Sequence, residues 1–388
     1  MLPDDLDKPL GQNLPPARKR GRINRIAGWS AALGLLLLII SSGIAVRERP
    51  FRTVEPEKVA TVAVKHGNAQ GAQSNAKSPS VTVTSGGSGG GPSIIKVNPS
   101  TDATSTGAIV ISDPSAVHQD SRVAHIPDRA LLEDSSDGPL PIRAADGRRP
   151  FDVYARPWSG ARGARIAIVI GGLGVSQTGT QQAIESLPPE ITLAFASQGN
   201  SIGRWMQEGR RTGHEIIMQV PLEPFDYPNV NPGRHTLTVD AAPDANIQNL
   251  LWTLSRTTNY TGVMNYMGAR FTSDAQAMQP FMTELGKRGL LYLDDGTSAR
   301  SVAPELAKES GVPFVAADAV IDVAQDRNAI LEKLDQLERT ARAKGFAVGT
   351  GSAFNVTVDA VRSWAAEARR RGIEIVPISA VAQDPQQG

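Results

Sequence analysis

From residue 164 to residue 381, short apolar runs alternate with stretches patterned at the helical period. No other feature of the chain restricts its fold as strongly. The runs at 165–170 (RIAIVI), 192–196, 215–220 (EIIMQV), 262–265, 290–293, 313–315, 346–349 and 374–377 predict strands. Between them, 177–186, 201–212, 244–257, 274–288, 302–309, 327–344 and 357–371 predict helices. Strands that alternate with helices make βα units and a parallel sheet. The strand runs are apolar without interruption, as when helices cover the sheet. The helical stretches exit through RGL at 288–290, KGF at 344–346 and RGI at 371–373, where glycine signals a C-terminus. Seven or eight such units predict an α/β fold, a (β/α) barrel or distorted barrel. A flat doubly wound sheet is the alternative. In both, functional side chains gather at the C-terminal ends of the strands.

The rest of the chain reads differently. Residues 26–46 (IAGWSAALGLLLLIISSGIAV) carry no charge over 21 positions. That is long enough for a helix to span a hydrocarbon core of roughly 30 Å. Arg18, Lys19, Arg20, Arg22 and Arg25 precede the run, and Arg47, Arg49 and Arg52 follow it. The heavier basic flank predicts a cytoplasmic N-terminus, 1–25, and a C-terminal side in the periplasm. A cleaved signal peptide fits less well, because the run is long and no A-x-A-like site follows. Residues 47–157 predict a flexible tether. GGSGGGPS at 86–93 is a linker by composition, within sequence rich in Ser, Thr, Asn and Pro. A strand-like piece at 107–112 and a helical turn within 128–137 are the only local structure expected there. The folded domain is then 158–388.

Composition removes several chemistries. The net charge of +1 gives no reason to expect nucleic acid as a partner. The absence of cysteine excludes disulfides, thiolate zinc sites and thiol nucleophiles. Histidines number only five: His66, His118, His125, His214 and His235.

The strand ends hold the candidate site. Gly171-Gly172-Leu173-Gly174 follows the first strand, but it lacks the P-loop lysine and the dinucleotide spacing, so it reads as a tight turn. Gln219 and Glu223 end the third strand; Asn265, Tyr266, Arg270 and Thr272 follow the fourth. Asp294-Asp295-Gly296-Thr297-Ser298 ends the fifth, Asp318 and Asp322 follow the sixth, and Gly351-Ser352 ends the seventh. Each also reads as a loop start or helix cap. Together they predict a polar cleft. In it Asp294 and Asp295 are placed to serve as metal ligand or general base, or as caps.

These segments resemble the divergent polysaccharide deacetylases, a bacterial envelope group related to the carbohydrate esterase deacetylases. RIAIVIGGLG, GHEIIMQVPLEP, GVMNYMGARFTSD, RGLLYLDDGTS, DAVID and GFAVGTGS carry the resemblance, in the family's order and spacing, over 165–379. The resemblance implies a seven-stranded (β/α) barrel and hydrolysis of acetyl groups by water on a metal, usually zinc, held by Asp and His. The family's first-strand Asp-Asp is here Gly171-Gly172, and its third-strand His is Gln219. Its Asn-His-Met-Gly-Ser reads Asn265-Tyr266-Met267-Gly268-Ala269, and its Gly-His reads Gly351-Ser352. Glu223, Asn265, Arg270, Thr272, Asp294, Thr297, Asp318 and Asp322 remain. His214 begins a strand at the far end from the cleft, and His235 sits in a loop. No family-type metal site is expected.

The sequence therefore supports three readings. In the first, a non-catalytic domain binds an envelope glycan or an envelope protein through Gln219, Glu223, Asn265, Tyr266, Arg270, Asp295 and Ser352. In the second, a metal-dependent or carboxylate-based hydrolase works through Asp294 and Asp318, with Asp295 and Glu223, around an oxygen-coordinated cation. In the third, the barrel is a structural scaffold. All three place it on the inner membrane through 26–46.

Overall fold

The computed structural model describes residues 118–387. The anchor expected at 26–46 and the tether up to residue 117, with its 107–112 piece, lie outside them. Among the described residues no helix is long and apolar enough to cross a membrane.

Residues 118–157 correct the expected tether boundary. They fold into two 3-10 turns, Ser121–Val123 and Arg129–Leu131, and a hairpin of β1 (Leu132–Glu133) with β2 (Leu140–Pro141). A short helix, α1 (Pro150–Val153), follows. Composition missed this segment because its apolar residues are few and scattered; Leu131, Ala144, Val153 and Tyr154 come together as one small buried cluster. Polar anchors do the rest. Arg210 Nη1 donates to Tyr154 O at 2.8 Å, Asn259 Nδ2 to Ala124 O at 2.7 Å, and Arg288 Nη1 pairs with Glu133 at 2.8 Å. Arg210, Asn259 and Arg288 lie three to six residues before the strands that begin at Ile216, Gly262 and Leu291, so the segment caps the N-terminal end of the sheet.

Nine strands follow: β3 (Arg165–Leu173), β4 (Thr192–Ala196), β5 (Ile216–Leu222), β6 (Gly262–Met267), β7 (Leu291–Asp294), β8 (Phe314–Ala316), β9 (Ala319–Val320), β10 (Phe346–Ser352) and β11 (Glu374–Val376). They form one parallel sheet in the order β8-β7-β6-β5-β4-β3-β10-β9, with β11 also on β3. The connecting helices are α2 (Gln177–Ser186), α3 (Ile202–Arg211), α4 (Pro243–Leu254), α5 (Ala275–Arg288), α6 (Ala303–Glu309), α7 (Arg327–Lys344) and α8 (Asn355–Arg370). Residues 314–320 pair with β7 at one end and β10 at the other, so one stretch of chain joins both edges of the sheet. The sheet is therefore curled, and the flat doubly wound alternative is excluded.

Alternation along the strands separates two cores, because successive side chains point to opposite faces. Ile166, Ile168, Ile170, Met218 and Tyr292 pack with helix residues such as Ile184, Phe281, Leu334 and Trp364. Ala167, Val169, Ala194, Ile217, Leu293 and Val348 pack with one another inside the curl, joined by Phe151 from α1. Small residues dominate the inner set because the curl leaves little room. Ser176, Asp274 and Asp326 cap α2, α5 and α7 through their side chains. Gly289 and Gly345 end α5 and α7 at positive φ, as their sequence positions predict.

Candidate functional site

The C-terminal ends of β3, β5, β6, β7 and β10 surround a cleft of about 660 Å³. The strands place Gly172, Gln219, Asn265, Tyr266, Asp295, Thr350 and Ser352 on its surface. Of the expected binding residues it thus brings together Gln219, Asn265, Tyr266, Asp295 and Ser352. Ser176, Thr180 and Phe354 also line it. Sequence reasoning passed over these three: Ser176 and Thr180 read as the start of α2, and only the exposed aromatic after Gly351-Ser352 offered a signal.

Gln219 is 8 % exposed at the end of β5. Its Oε1 accepts the Gly172 N–H at 2.8 Å, while Nε2 has no acceptor among the described residues and faces the cleft. A Cβ at Gly171 would lie 2.7 Å from that Nε2. The glutamine amide therefore fills the space that a side chain at position 171 would need.

Asn265 organises the opposite wall. Its Oδ1 accepts the Asp295 N–H at 2.9 Å, and its Nδ2 donates to Met267 O at 2.7 Å. Met267 and Gly268 both have positive φ, 60° and 101°. The first is costly for a side-chain-bearing residue, and a Cβ on Gly268 would meet Leu222 at 2.5 Å. Asn265 thus holds a strained turn that thrusts Tyr266 outward, leaving it 42 % exposed. Asp295 Oδ1 accepts from the Thr297 N–H and hydroxyl, at 2.9 and 2.7 Å.

The other expected residues lie elsewhere. Glu223 is buried, paired with Arg270, and accepts the Val239 N–H at 2.6 Å. Arg270 also reaches Asp240 at 3.0 Å. The pair staples the loops after β5 and β6 and does not line the cleft. Asp318 lies toward the start of β10, where it accepts the Val348 N–H at 2.8 Å and pairs with Lys344 at 2.6 Å. The break between β8 and β9 turns it away from the cleft, so it does not join Asp294. Asp294 itself is buried beneath the cleft. Its oxygens accept the Gly296 N–H at 2.9 Å and the Ser301 hydroxyl at 2.5 Å. Burial pushes its carboxyl pKa up, against those two hydrogen bonds. Asp322 accepts the Ser352 N–H at 2.6 Å and the Thr357 hydroxyl at 3.0 Å, fixing the β10–α8 loop.

The residues present do not fit a zinc ion of the family type. The cleft offers a single carboxylate, Asp295, beside amides, hydroxyls and a phenol, whereas zinc favours several imidazole, thiolate or carboxylate ligands together. Among the described residues no group of three His, Cys, Asp or Glu side chains is placed to hold a metal ion. His214 is buried at the opposite end, within 2.8 Å of Ile191 O. His235 stacks on Trp252 with ring centroids 3.8 Å apart.

A curled parallel sheet with its cleft on the C-terminal rim defines a distorted (β/α) barrel domain. Residues 168–382 match the divergent polysaccharide deacetylase family, and the chain belongs to that family. An uncharacterised protein of Haemophilus influenzae is 28 % identical over 187 residues, 48 % of this chain and 66 % of that protein. The uncharacterised protein YibQ of Escherichia coli is 24 % identical over 195 residues, 50 % of this chain and 60 % of its own. The chain thus spans less than two thirds of these relatives. A crystal structure of an uncharacterised protein from Agrobacterium tumefaciens is 54 % identical with a TM-score of 0.62, covering 63 % of this chain and 99 % of that one.

Proposed function

We propose that this protein is a pseudoenzyme of carbohydrate metabolism: its cleft binds an envelope glycan and does not hydrolyse it. One observation carries the reading. The Gln219 amide occupies the space beside Gly171 and accepts the Gly172 N–H, where the family's chemistry calls for a carboxylate and an imidazole on a metal. Gln219, Tyr266 and Ser352 still offer hydrogen bonds and an aromatic surface to a sugar. The hydrolase alternative loses support because Asp294 and Asp318 do not converge. The domain stands in the periplasm, held to the inner membrane through 26–46, whose uncharged length and basic N-terminal flank support this placement.

The test uses the full chain purified in detergent. Elemental analysis is expected to find no stoichiometric zinc, and acetylated glycans are expected to bind without acetate release. Stoichiometric zinc with acetate release sinks the reading. Protease added to spheroplasts is expected to digest the C-terminal domain; protection there overturns the placement.

A further inference from the structure

A second lobe of about 360 Å³ adjoins the cleft and shares Gly172, Val175, Gln219 and Tyr266 along the border. Its volume lies within the range of small-ligand sites. Its far wall is the loop after β4, Ser197, Gln198 and Asn200, together with Pro221 and Pro232. The loop is built, not slack. Gly199 N–H donates to Ala196 O at 2.9 Å, and Asn200 N–H to Gly174 O at 2.8 Å. Arg256 Nε donates to Ser197 O at 3.0 Å. Gly199 lies so close to Gly174 that a Cβ on it would fall 2.9 Å from the Gly174 backbone.

Two nearly buried polar groups open into this lobe without protein partners. Ser197 is 3 % exposed and its hydroxyl makes no hydrogen bond among the described residues. Gln219 Nε2 is the second. Gln198 donates through Nε2 to Arg234 O at 3.1 Å, which leaves Oε1 as a free acceptor. A buried polar group without a partner costs free energy, so these groups mark where a ligand or water must donate and accept. No charged residue lines the lobe, and Asp295 is the one charged residue lining the cleft beside it among the described residues. An anionic ligand would lose its hydration and meet no cation in exchange.

The geometry points to the Ser197–Gln198–Asn200 lobe as a second sugar subsite, and to an uncharged linear glycan, long enough to fill both lobes, as the ligand. The inference rests on the glycan-binding reading and adds length and charge to it. Tyr266 stands at the border, where its ring can stack against the sugar that joins the two subsites. Ser197, Gln198 and Gln219 supply a donor-acceptor, an acceptor and a donor to sugar hydroxyls.

The full chain in detergent is titrated calorimetrically with chito-, cello- and malto-oligosaccharides of increasing length, and with oligogalacturonides as the anionic series. At least one uncharged series is expected to gain roughly tenfold in affinity between the monosaccharide and longer members, from two or more added hydrogen bonds and contacts. Gln198→Ala and Ser197→Val are expected to shrink that gain. Gln198 is exposed, so its variant reports even where the buried Ser197 variant folds poorly. Equal affinity at every length overturns the second subsite and leaves the cleft reading standing. Tighter binding of oligogalacturonides overturns the uncharged ligand. No binding of any series overturns both the subsite and the reading beneath it.

Discussion

The Gln219 amide lies across Gly171, with Nε2 2.7 Å from where a Cβ on that glycine would stand. Glycine at 171 and a long amide at 219 are therefore one feature, not two. Gly171→Ala must push the amide aside and break its bond from Gly172. The expected cost is about 1 to 3 kcal/mol, the usual range for overpacking. In a Gln219→Ala background the added methyl gains room and the cost is expected to vanish. Urea unfolding of the four proteins in the cycle measures the coupling, and additive costs would show that the two positions are independent.

Arg149 ties the N-terminal segment to the C-terminus. It is 4 % exposed and pairs with Asp152 at 2.6 Å and Asp384 at 2.5 Å. Its guanidinium also stands 5.2 Å from the Phe151 ring centroid. Arg149→Ala leaves a nearly buried Asp384 without its cation, at an expected cost of roughly 3 to 5 kcal/mol. The solvent-exposed Arg122, paired with Asp120, serves as control, and its alanine variant is expected to unfold at the same urea concentration as the wild type. Equal effects of the two substitutions would show that residues 118–157 are not part of the cooperative fold.

The limits of the sequence reading follow the same division between local and distant contacts. Helices α2 and α7 coincide with their predicted spans because Ser176, Asp326 and Gly345 mark their ends locally. The fold of 118–157 was not legible, because it depends on pairs such as Arg149–Asp384 that join distant parts of the chain. At the site, strand ends were found but not the direction of each side chain. Gln219 and Tyr266 point into the cleft. Glu223 points at Arg270, and Asp318 at Lys344. The Ser197–Asn200 loop escaped notice because Ser-Gln-Gly-Asn reads as an ordinary turn. Only the neighbouring loops turn it into a wall.

His214 makes stability depend on pH. Burial pushes its imidazole pKa below the usual 6.5, with Arg156 adding to the effect against hydrogen bonds at Ile191 O and Ile184 O. The unfolded chain takes up a proton near 6.5, and the folded chain does so only at lower pH. Protons thus favour the unfolded state, so this contribution is complete above 6.5 and is lost as pH falls below it. Urea midpoints of the wild type are expected to fall through that window. His214→Gln cannot titrate, so its midpoint is expected to fall less steeply. Equal slopes in the two proteins would remove His214 as the cause.

Tyr266 and Asn265 are adjacent in sequence and are expected to fail in opposite ways. Tyr266 is partly exposed and its ring borders both lobes, so Tyr266→Ala removes ligand contact while the fold keeps its hydrogen bonds. Glycan affinity is expected to drop roughly tenfold, the loss of about 1.4 kcal/mol, with the urea midpoint unchanged. Asn265 spends its side chain on Asp295 N–H and Met267 O. Asn265→Leu leaves both half-buried groups without partners, at an expected cost of roughly 1 to 3 kcal/mol in stability. It also releases the Met267–Gly268 turn, so binding falls only because Tyr266 is no longer held in place. If Tyr266→Ala unfolds early while Asn265→Leu is stable and binds poorly, the roles are reversed and Asn265 is the residue that meets the glycan.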